Sequence, residues 1–166
     1  MKRNTGRLLL TAFAMVGLLG TVSAKLAGEL APDFVLKSVS GENYRLSEFR
    51  GQVVLISFWA SWCGECRSQL EELAELYERY SGAGLEMLAI SLDRDLDQVS
   101  DAANAIGIGF PALHDAGGVV GEQYAVDRMP LVVLIDQDGV VREEFSGFHK
   151  GEEDHYLEQA RALLAE

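Results

Sequence analysis

Only two cysteines occur in this chain of 166 residues, and they stand three positions apart, as Cys63 and Cys66. They follow the apolar run Val53–Trp59 and open a stretch whose apolar residues recur with helical spacing. A Cys-x-x-Cys pair at a strand-to-helix junction places both sulfur atoms on one face of the first helical turn. The chain is therefore constrained to form a buried strand, a tight turn and a helix N-terminus in succession.

The position of this pair favours redox chemistry. The N-terminus of a helix carries unpaired N–H groups and a partial positive charge, which favour the thiolate form of Cys63. A thiolate attacks a disulfide and forms a mixed disulfide. Cys66, one turn further along the same face, can resolve that intermediate. We therefore interpret the pair as a dithiol–disulfide centre.

The cysteine pair has two other interpretations, a zinc site and a structural disulfide. A zinc site needs four ligands, and the histidines that could complete one, His114, His149 and His155, lack ligand-like spacing. A structural disulfide is the other alternative, although so short a loop constrains the unfolded chain little. We predict no metal and no cofactor beyond the cysteine pair itself.

The composition indicates one acidic domain. Apolar residues make up 48% of the chain, which is sufficient for a hydrophobic core. There are 26 acidic against 14 basic residues, a formal charge of −12. This balance disfavours nucleic acids and anionic membrane surfaces as partners.

Residues 1–24 differ from the rest and read as a signal peptide. Three basic residues precede the uncharged run 8–19, and small residues end the segment at Ala24. Cleavage there leaves a mature domain, 25–166, with a formal charge of −15, since three basic and no acidic residues are lost. The alternative is an uncleaved anchor over 8–24, at the lower limit of a bilayer span and the only predicted contact with a membrane. Either interpretation predicts a periplasmic or other extracytoplasmic location.

Apolar patterning predicts alternating strands and helices in the mature domain. Two short strands form an N-terminal hairpin, and buried strands alternate with helices after it. The expected strands are 31–36, 43–46, 53–59, 85–92, 131–135 and 140–145, and the expected helices span 65–80, a segment ending near 106, a short one ending near 124, and 152–165.

The acidic segment Asp93-Arg-Asp95-Leu-Asp97 superficially resembles a calcium-binding loop. Such a loop requires glycine at its sixth position and glutamate at its twelfth, where this chain has Gln98 and Asn104. We therefore expect these acids to cap and begin the next helix.

The motifs together resemble a known family. The segment FWASWCGEC follows a buried strand, and Met-Pro-LVVLID-QDG follows about 65 residues later, as in the thioredoxin fold. APDF, LSEFRG and an extra helix resemble the TlpA/ResA-like thiol–disulfide oxidoreductases, over about residues 31–148. The resemblance implies an α/β thioredoxin fold, in which helices flank a central mixed sheet. It also implies an N-terminal β-hairpin and an extra helix between the second and third core strands.

The resemblance also assigns roles to individual residues. Cys63 corresponds to the exposed nucleophile, Cys66 to the buried resolving cysteine, and Trp62 to the aromatic residue beside the nucleophile. Pro130 corresponds to a cis-proline that faces the pair, and Met129 to the residue whose backbone binds an extended substrate peptide.

Several positions between and beside the cysteines depart from the family pattern and are expected to modulate the pair. Ser57 stands where thioredoxins have a buried acid, and it cannot act as a base near neutral pH. Gln69 replaces a glutamate found in some ResA-like members. Gly64 and Glu65 lie between the cysteines, with Glu65 in the position usually held by proline. Its carboxylate disfavours a nearby thiolate, which makes the pair more reducing. Glu65 is either a proton donor to Cys66 or an ordinary acid at a helix N-terminus.

The resemblance implies that the protein reduces disulfides in exported partner proteins. A membrane electron-donor protein would then restore the dithiol, because an oxidising compartment does not supply electrons. Clients by analogy are the cysteines of apocytochrome c, in cytochrome c biogenesis, or those of oxidase copper centres. The first is less favoured, because the chain lacks the Gly-x-Pro-Glu-Thr loop of the dedicated cytochrome-maturation reductases.

Two alternative functions come from other protein classes. A peroxiredoxin places Thr or Ser three residues before its reactive cysteine, and here Ala60 stands there. A copper chaperone uses a Cys-x-x-x-Cys pair with a distant histidine; the spacing here is one residue shorter, and His149 is the late histidine. A reduced Cys-x-x-Cys pair nevertheless binds Cu(I), so a copper assembly factor stays open as an alternative.

Overall fold

The computed structural model describes residues 26–151 and 153–166. The predicted signal peptide or anchor, residues 1–24, lies outside these ranges. Within them, no helix is long and apolar enough to cross a membrane.

The strands are β1 Val35–Ser38, β2 Asn43–Arg45, β3 Val53–Trp59, β4 Leu85–Ser91, β5 Ala112–His114, β6 Leu131–Ile135 and β7 Val141–Ser146. The α-helices are α1 Gly64–Tyr80, α2 Leu96–Ile106, α3 Val119–Gln123 and α4 Glu153–Leu164.

All seven strands join one mixed sheet in the order β2-β1-β5-β4-β3-β6-β7. At its centre, β3 pairs in parallel with β4 and antiparallel with β6. All seven residues of β3 are buried, as expected for a strand covered on both faces. The C-terminal end of β3, which leads to the cysteines, therefore lies in the middle of one end of the sheet.

Each face of the sheet carries its own core. Alternate residues of the central strands, with Leu55 among them, pack against α1, α2 and α4. The residues between them, such as Ile56, pack on the other face with α3 and the short 3₁₀ turn Leu46–Phe49. This alternation follows from the two-residue period of a strand, and it fixes α1 firmly over β3.

The predicted architecture is confirmed. The bounds of β3 and β6 coincide with the apolar runs in the sequence. The strands β1 and β2 form the expected antiparallel hairpin, but β1 begins at Val35 and not at residue 31 as predicted. Between β4 and β6, where the resemblance implies an extra helix, the chain forms the helices α2 and α3 and the strand β5. Of the capping acids, Asp95 accepts a hydrogen bond from the N–H of Asp97 at the start of α2. The expectation is wrong for Asp93, which turns away from α2 and binds the loop after β3.

The polar segment before β1 pairs with the turn before β7 and with the first residue of that strand, Val141. The N–H groups of Gly28 and Ala31 donate to the carbonyls of Val141 and Gly139, and the N–H of Val141 donates to the carbonyl of Glu29. Leu30 forms an isolated antiparallel bridge with Val140. The lead-in residues thus extend the sheet instead of hanging free.

Candidate active site

The two cysteines are joined by a disulfide with an S–S distance of 2.04 Å and a Cα–Cα distance of 5.2 Å. Cys63 is the N-cap residue of α1, in extended conformation, and its Sγ accepts a hydrogen bond from the N–H of Cys66 at 3.1 Å. The sulfur of Cys63 thus occupies the place where a helix N-terminus stabilises negative charge.

The two sulfur-bearing residues differ in accessibility. Cys66 is fully buried on the inner face of α1, whereas Cys63 is only half-buried. Beside it, Trp62 is 71% exposed, although large apolar side chains are normally covered. Gly64 and Glu65 are also exposed, and no hydrogen bond or ion pair among the described residues involves the Glu65 side chain. A partner molecule can therefore reach Cys63 but not Cys66.

The loop before β6 lies at the same end of the sheet. Leu131 pairs with Phe58, and the Met129–Pro130 peptide bond is cis, as the resemblance implies. Pro130 is buried, and Met129 packs with Cys63 against the cluster that contains Cys66. Among the described residues, no hydrogen bond involves the backbone of Met129. Its peptide groups are available to an added extended chain.

A buried polar chain connects β3, α1 and α4. The hydroxyl of Ser57 donates to the side-chain oxygen of Gln69 at 3.1 Å, and the Gln69 amide donates to the hydroxyl of Tyr156 at 3.4 Å. All three residues are at most 2% exposed. Gln69 lies one turn after Cys66 on α1, so this uncharged chain occupies the interior next to the second cysteine.

A second polar contact, absent from the sequence-based prediction, ties the loop that carries the cysteines to β4. Ser61 donates two hydrogen bonds to the buried carboxylate of Asp93, from its N–H to Oδ2 and from its hydroxyl to Oδ1, each 2.8 Å long. The only hint in the sequence is an acid that directly follows the apolar run 85–92. That hint could not name Ser61, which is 32 positions away.

Comparison with known proteins identifies the family. A model of the AhpC/TSA family matches residues 27–144. Thiol-disulfide oxidoreductase ResA of Geobacillus kaustophilus is 35% identical over 125 residues, which cover 75% of this chain and 72% of that protein. The chain belongs to the AhpC/TSA family and, within it, to the ResA-like thiol–disulfide oxidoreductases.

Other relatives extend the similarity over nearly the whole ResA-like chain. ResA of Bacillus thuringiensis subsp. konkukian is 31% identical over 172 residues, with coverage of 96% of this chain and 98% of that protein. A solved structure from Chlorobium tepidum, to which the role of thiol:disulfide interchange protein DsbE is ascribed, superposes with a TM-score of 0.79. It is 31% identical and covers 83% of this chain and 97% of that one. The ResA-like oxidoreductase thus has its cysteine pair at disulfide distance within the thioredoxin fold of its relatives.

Proposed function

We propose that this protein is an exported reductant of disulfides in partner proteins and works by a dithiol–disulfide cycle of Cys63 and Cys66. The observation that carries the proposal is the difference between the two cysteines. A half-buried sulfur at a helix N-terminus is placed to attack, and its fully buried neighbour is placed to release what has been captured.

The reaction balances as two successive exchanges. The Cys63 thiolate attacks one sulfur of the partner disulfide; a mixed disulfide forms, and the other partner sulfur leaves as a thiolate that takes up a proton. Cys66 then loses its proton and attacks the Cys63 sulfur, which expels the second partner sulfur. The products are the Cys63–Cys66 disulfide and a partner dithiol, and two electrons have moved to the partner.

The surroundings of Cys63 suit a protein substrate. Trp62 offers an exposed apolar surface beside the sulfur, and the unpaired backbone of Met129 offers hydrogen bonds to an extended segment. Pro130 supports this loop directly before the first residue of β6. We infer that the partner presents its disulfide in an extended stretch that lies between these two elements.

Export and resupply of electrons complete the proposal. The basic start, uncharged run and small residues of the first 24 positions support secretion, with cleavage after Ala24. Each turnover leaves the protein oxidised, so continued reduction outside the cytoplasm requires an electron-donor protein in the membrane. Glu65, exposed between the cysteines, supports a reducing potential because its charge opposes the Cys63 thiolate.

A redox titration of the mature protein against glutathione tests the direction of the cycle. We expect a reduction potential near that of thioredoxin, about −270 mV. A value near that of a strong oxidant, about −120 mV, would contradict a reducing role.

Substitution of each cysteine tests the order of the steps. We expect Cys63→Ser to abolish insulin reduction and Cys66→Ala to accumulate mixed disulfides with exported proteins. Full activity of Cys63→Ser would refute the mechanism. Titration of the reduced wild type with Cu(I), in the same buffer, distinguishes a copper assembly factor, for which stoichiometric tight binding would accompany negligible insulin reduction.

A further inference from the structure

The carboxylate of Asp93 lies at the end of β4, directly beside the loop that leads from β3 to the reactive cysteine. It accepts three hydrogen bonds: two from Ser61 and one from the hydroxyl of Ser91, the last at 2.8 Å. The Asp93 residue is only 3% exposed. All three partners donate, so the arrangement satisfies an ionised carboxylate, which can only accept.

The backbone around Asp93 is held in place as firmly as its side chain. Its N–H donates to the Ser91 hydroxyl at 3.1 Å, and its carbonyl lies 2.9 Å from Nε2 of His114, which must carry a hydrogen to bond there. The N–H of Leu92 donates to the carbonyl of Trp59, so the β3–β4 ladder continues into the loop. Asp93 is therefore held by contacts outside the loop that its side chain binds.

The loop held by Asp93 carries the reactive residue. Ser61 is followed by Trp62 and Cys63, and the N–H of Cys63 donates to the carbonyl of Ala60 at 3.0 Å, which closes a tight turn. Because two hydrogen bonds hold Ser61, they also restrain the positions of the Trp62 indole and of the Cys63 sulfur. The negative charge of a carboxylate that contacts the residue two positions before Cys63 also opposes a negative charge on the Cys63 sulfur.

We propose that Asp93 is a positioning residue for thiol–disulfide exchange: it holds Ser61, and thereby Trp62 and Cys63, and its negative charge keeps the cysteine pair reducing. This inference rests on the proposed reductant function. Asp93 does not touch the reacting sulfur atoms; it acts through the loop and through its field.

The test compares Asp93→Asn with Asp97→Asn as a matched control. Asn has the shape of Asp without its charge, and Asp97 is an exposed acid on the same stretch, whose side chain accepts no hydrogen bond among the described residues. We expect Asp93→Asn to shift the equilibrium with glutathione toward the dithiol by about fivefold to tenfold, because the charge that opposes the thiolate is gone. The alkylation of Cys63 by iodoacetamide should then reach its midpoint at a lower pH. Asp97→Asn should stay within about twofold of the wild type, because an exposed charge is screened.

The proposal would be overturned if folded Asp93→Asn had the same equilibrium with glutathione and the same pH midpoint of alkylation as the wild type, even if the variant were less stable. Ser61→Ala keeps the test decisive if Asp93→Asn does not fold. It retains the carboxylate but removes one anchor of the loop, so we expect insulin reduction about threefold or more slower; an unchanged rate would overturn the positioning role. Both results are differences from the wild type, so a wild type that proves to be an oxidant would refute the reductant function and leave this comparison valid.

Discussion

The hydroxyl of Ser57 donates a hydrogen bond to the side-chain oxygen of Gln69 in the buried contact between β3 and α1. Neither side chain carries a charge near neutral pH. The interior next to Cys66 is thus polar but neutral at two positions where the family pattern includes an acid. A neutral pair of this kind needs no partner ion and does not titrate.

Restoring an acid at this place should make stability depend on pH. In Gln69→Glu the new carboxyl group is buried, so its pKa in the folded state lies above the unfolded value of about 4.3. The folded state then retains a proton that the unfolded chain releases. The free energy of unfolding should therefore fall by about 1.4 kcal/mol per pH unit as the pH rises from about 4.3 to the raised pKa.

Urea denaturation between pH 4 and pH 8 measures this dependence. Ser68→Glu is the control, because Ser68 is the exposed neighbour on the same helix. It should show no such slope relative to the wild type. A Gln69→Glu variant with a pH-independent loss would contradict burial of the new charge.

Trp62 should increase the rate of reduction of large protein substrates more than that of small disulfides. Its side chain is 71% exposed, so Trp62→Ala should change the free energy of unfolding by no more than about 0.5 kcal/mol. The rate of insulin reduction should drop several-fold, while the rate with a small aromatic disulfide stays close to that of the wild type. Val119→Ala, in which a 58% exposed apolar residue on α3 is truncated, should affect neither rate. An equal loss with both substrates would show that Trp62 acts on the cysteine itself.

Asp33 should contribute to stability at neutral pH but not in acid. Burial alone would raise the pKa of Asp33, but hydrogen bonds from the N–H and hydroxyl of Ser47, with the charge of Arg45, lower it below 3.8. A lowered pKa in the folded state gives stability above the unfolded pKa, and this stability is lost as the pH falls through the folded value. Asp33→Ala should therefore cost about 1 kcal/mol or less at pH 7, since the side chain is 43% exposed.

The same variant should approach the wild type in stability near pH 3. Denaturation by urea at the two pH values measures the difference. Asp127→Ala removes an exposed acid that has no side-chain partner among the described residues, and serves as the control. A cost of Asp33→Ala that is as large at pH 3 as at pH 7 would assign it to lost packing instead of lost charge.

Processing of the N-terminus gives a prediction that is independent of the redox chemistry. When the full chain is expressed in a bacterium with a periplasm, the secreted form should begin at Lys25. Intact-mass measurement of the periplasmic and membrane fractions decides the point. A full-length species in the membrane fraction alone would favour the uncleaved anchor over 8–24.

Much of the architecture could be predicted because its signals are local. The run Val53–Trp59 is apolar throughout and ends at the cysteines, and Leu131–Ile135 lies between a Met-Pro step and an Asp-Gly turn. The residues on either side of each strand therefore indicate where it begins and ends. β5 has only three residues, too few to show a period, and the apolar pattern alone could not assign it as a strand.

The polar contacts around the cysteines could not be predicted because they join distant positions. Ser61 and Asp93 meet only because β3 and β4 pair in parallel, with Trp59 opposite Ser91. Gln69 and Tyr156 are 87 positions apart and meet where α4 packs beside α1. Asp93 and Asp95 are indistinguishable in the sequence. Only the pairing of β3 with β4 brings Asp93 to the loop before the cysteines, whereas Asp95 caps α2.

The lead-in residues beside the start of β7 have a consequence for how copies of this protein behave at high concentration. A bare outer strand invites another chain to add to the sheet, which is a route to aggregation. Here Gly28 and Ala31 already occupy backbone groups of the β7 hairpin, and the opposite outer strand, β2, is only three residues long. The lead-in covers only residues 139–141 on the β7 border, so a truncation that begins after Ala31 would add the start of β7 to the backbone with which another chain can pair.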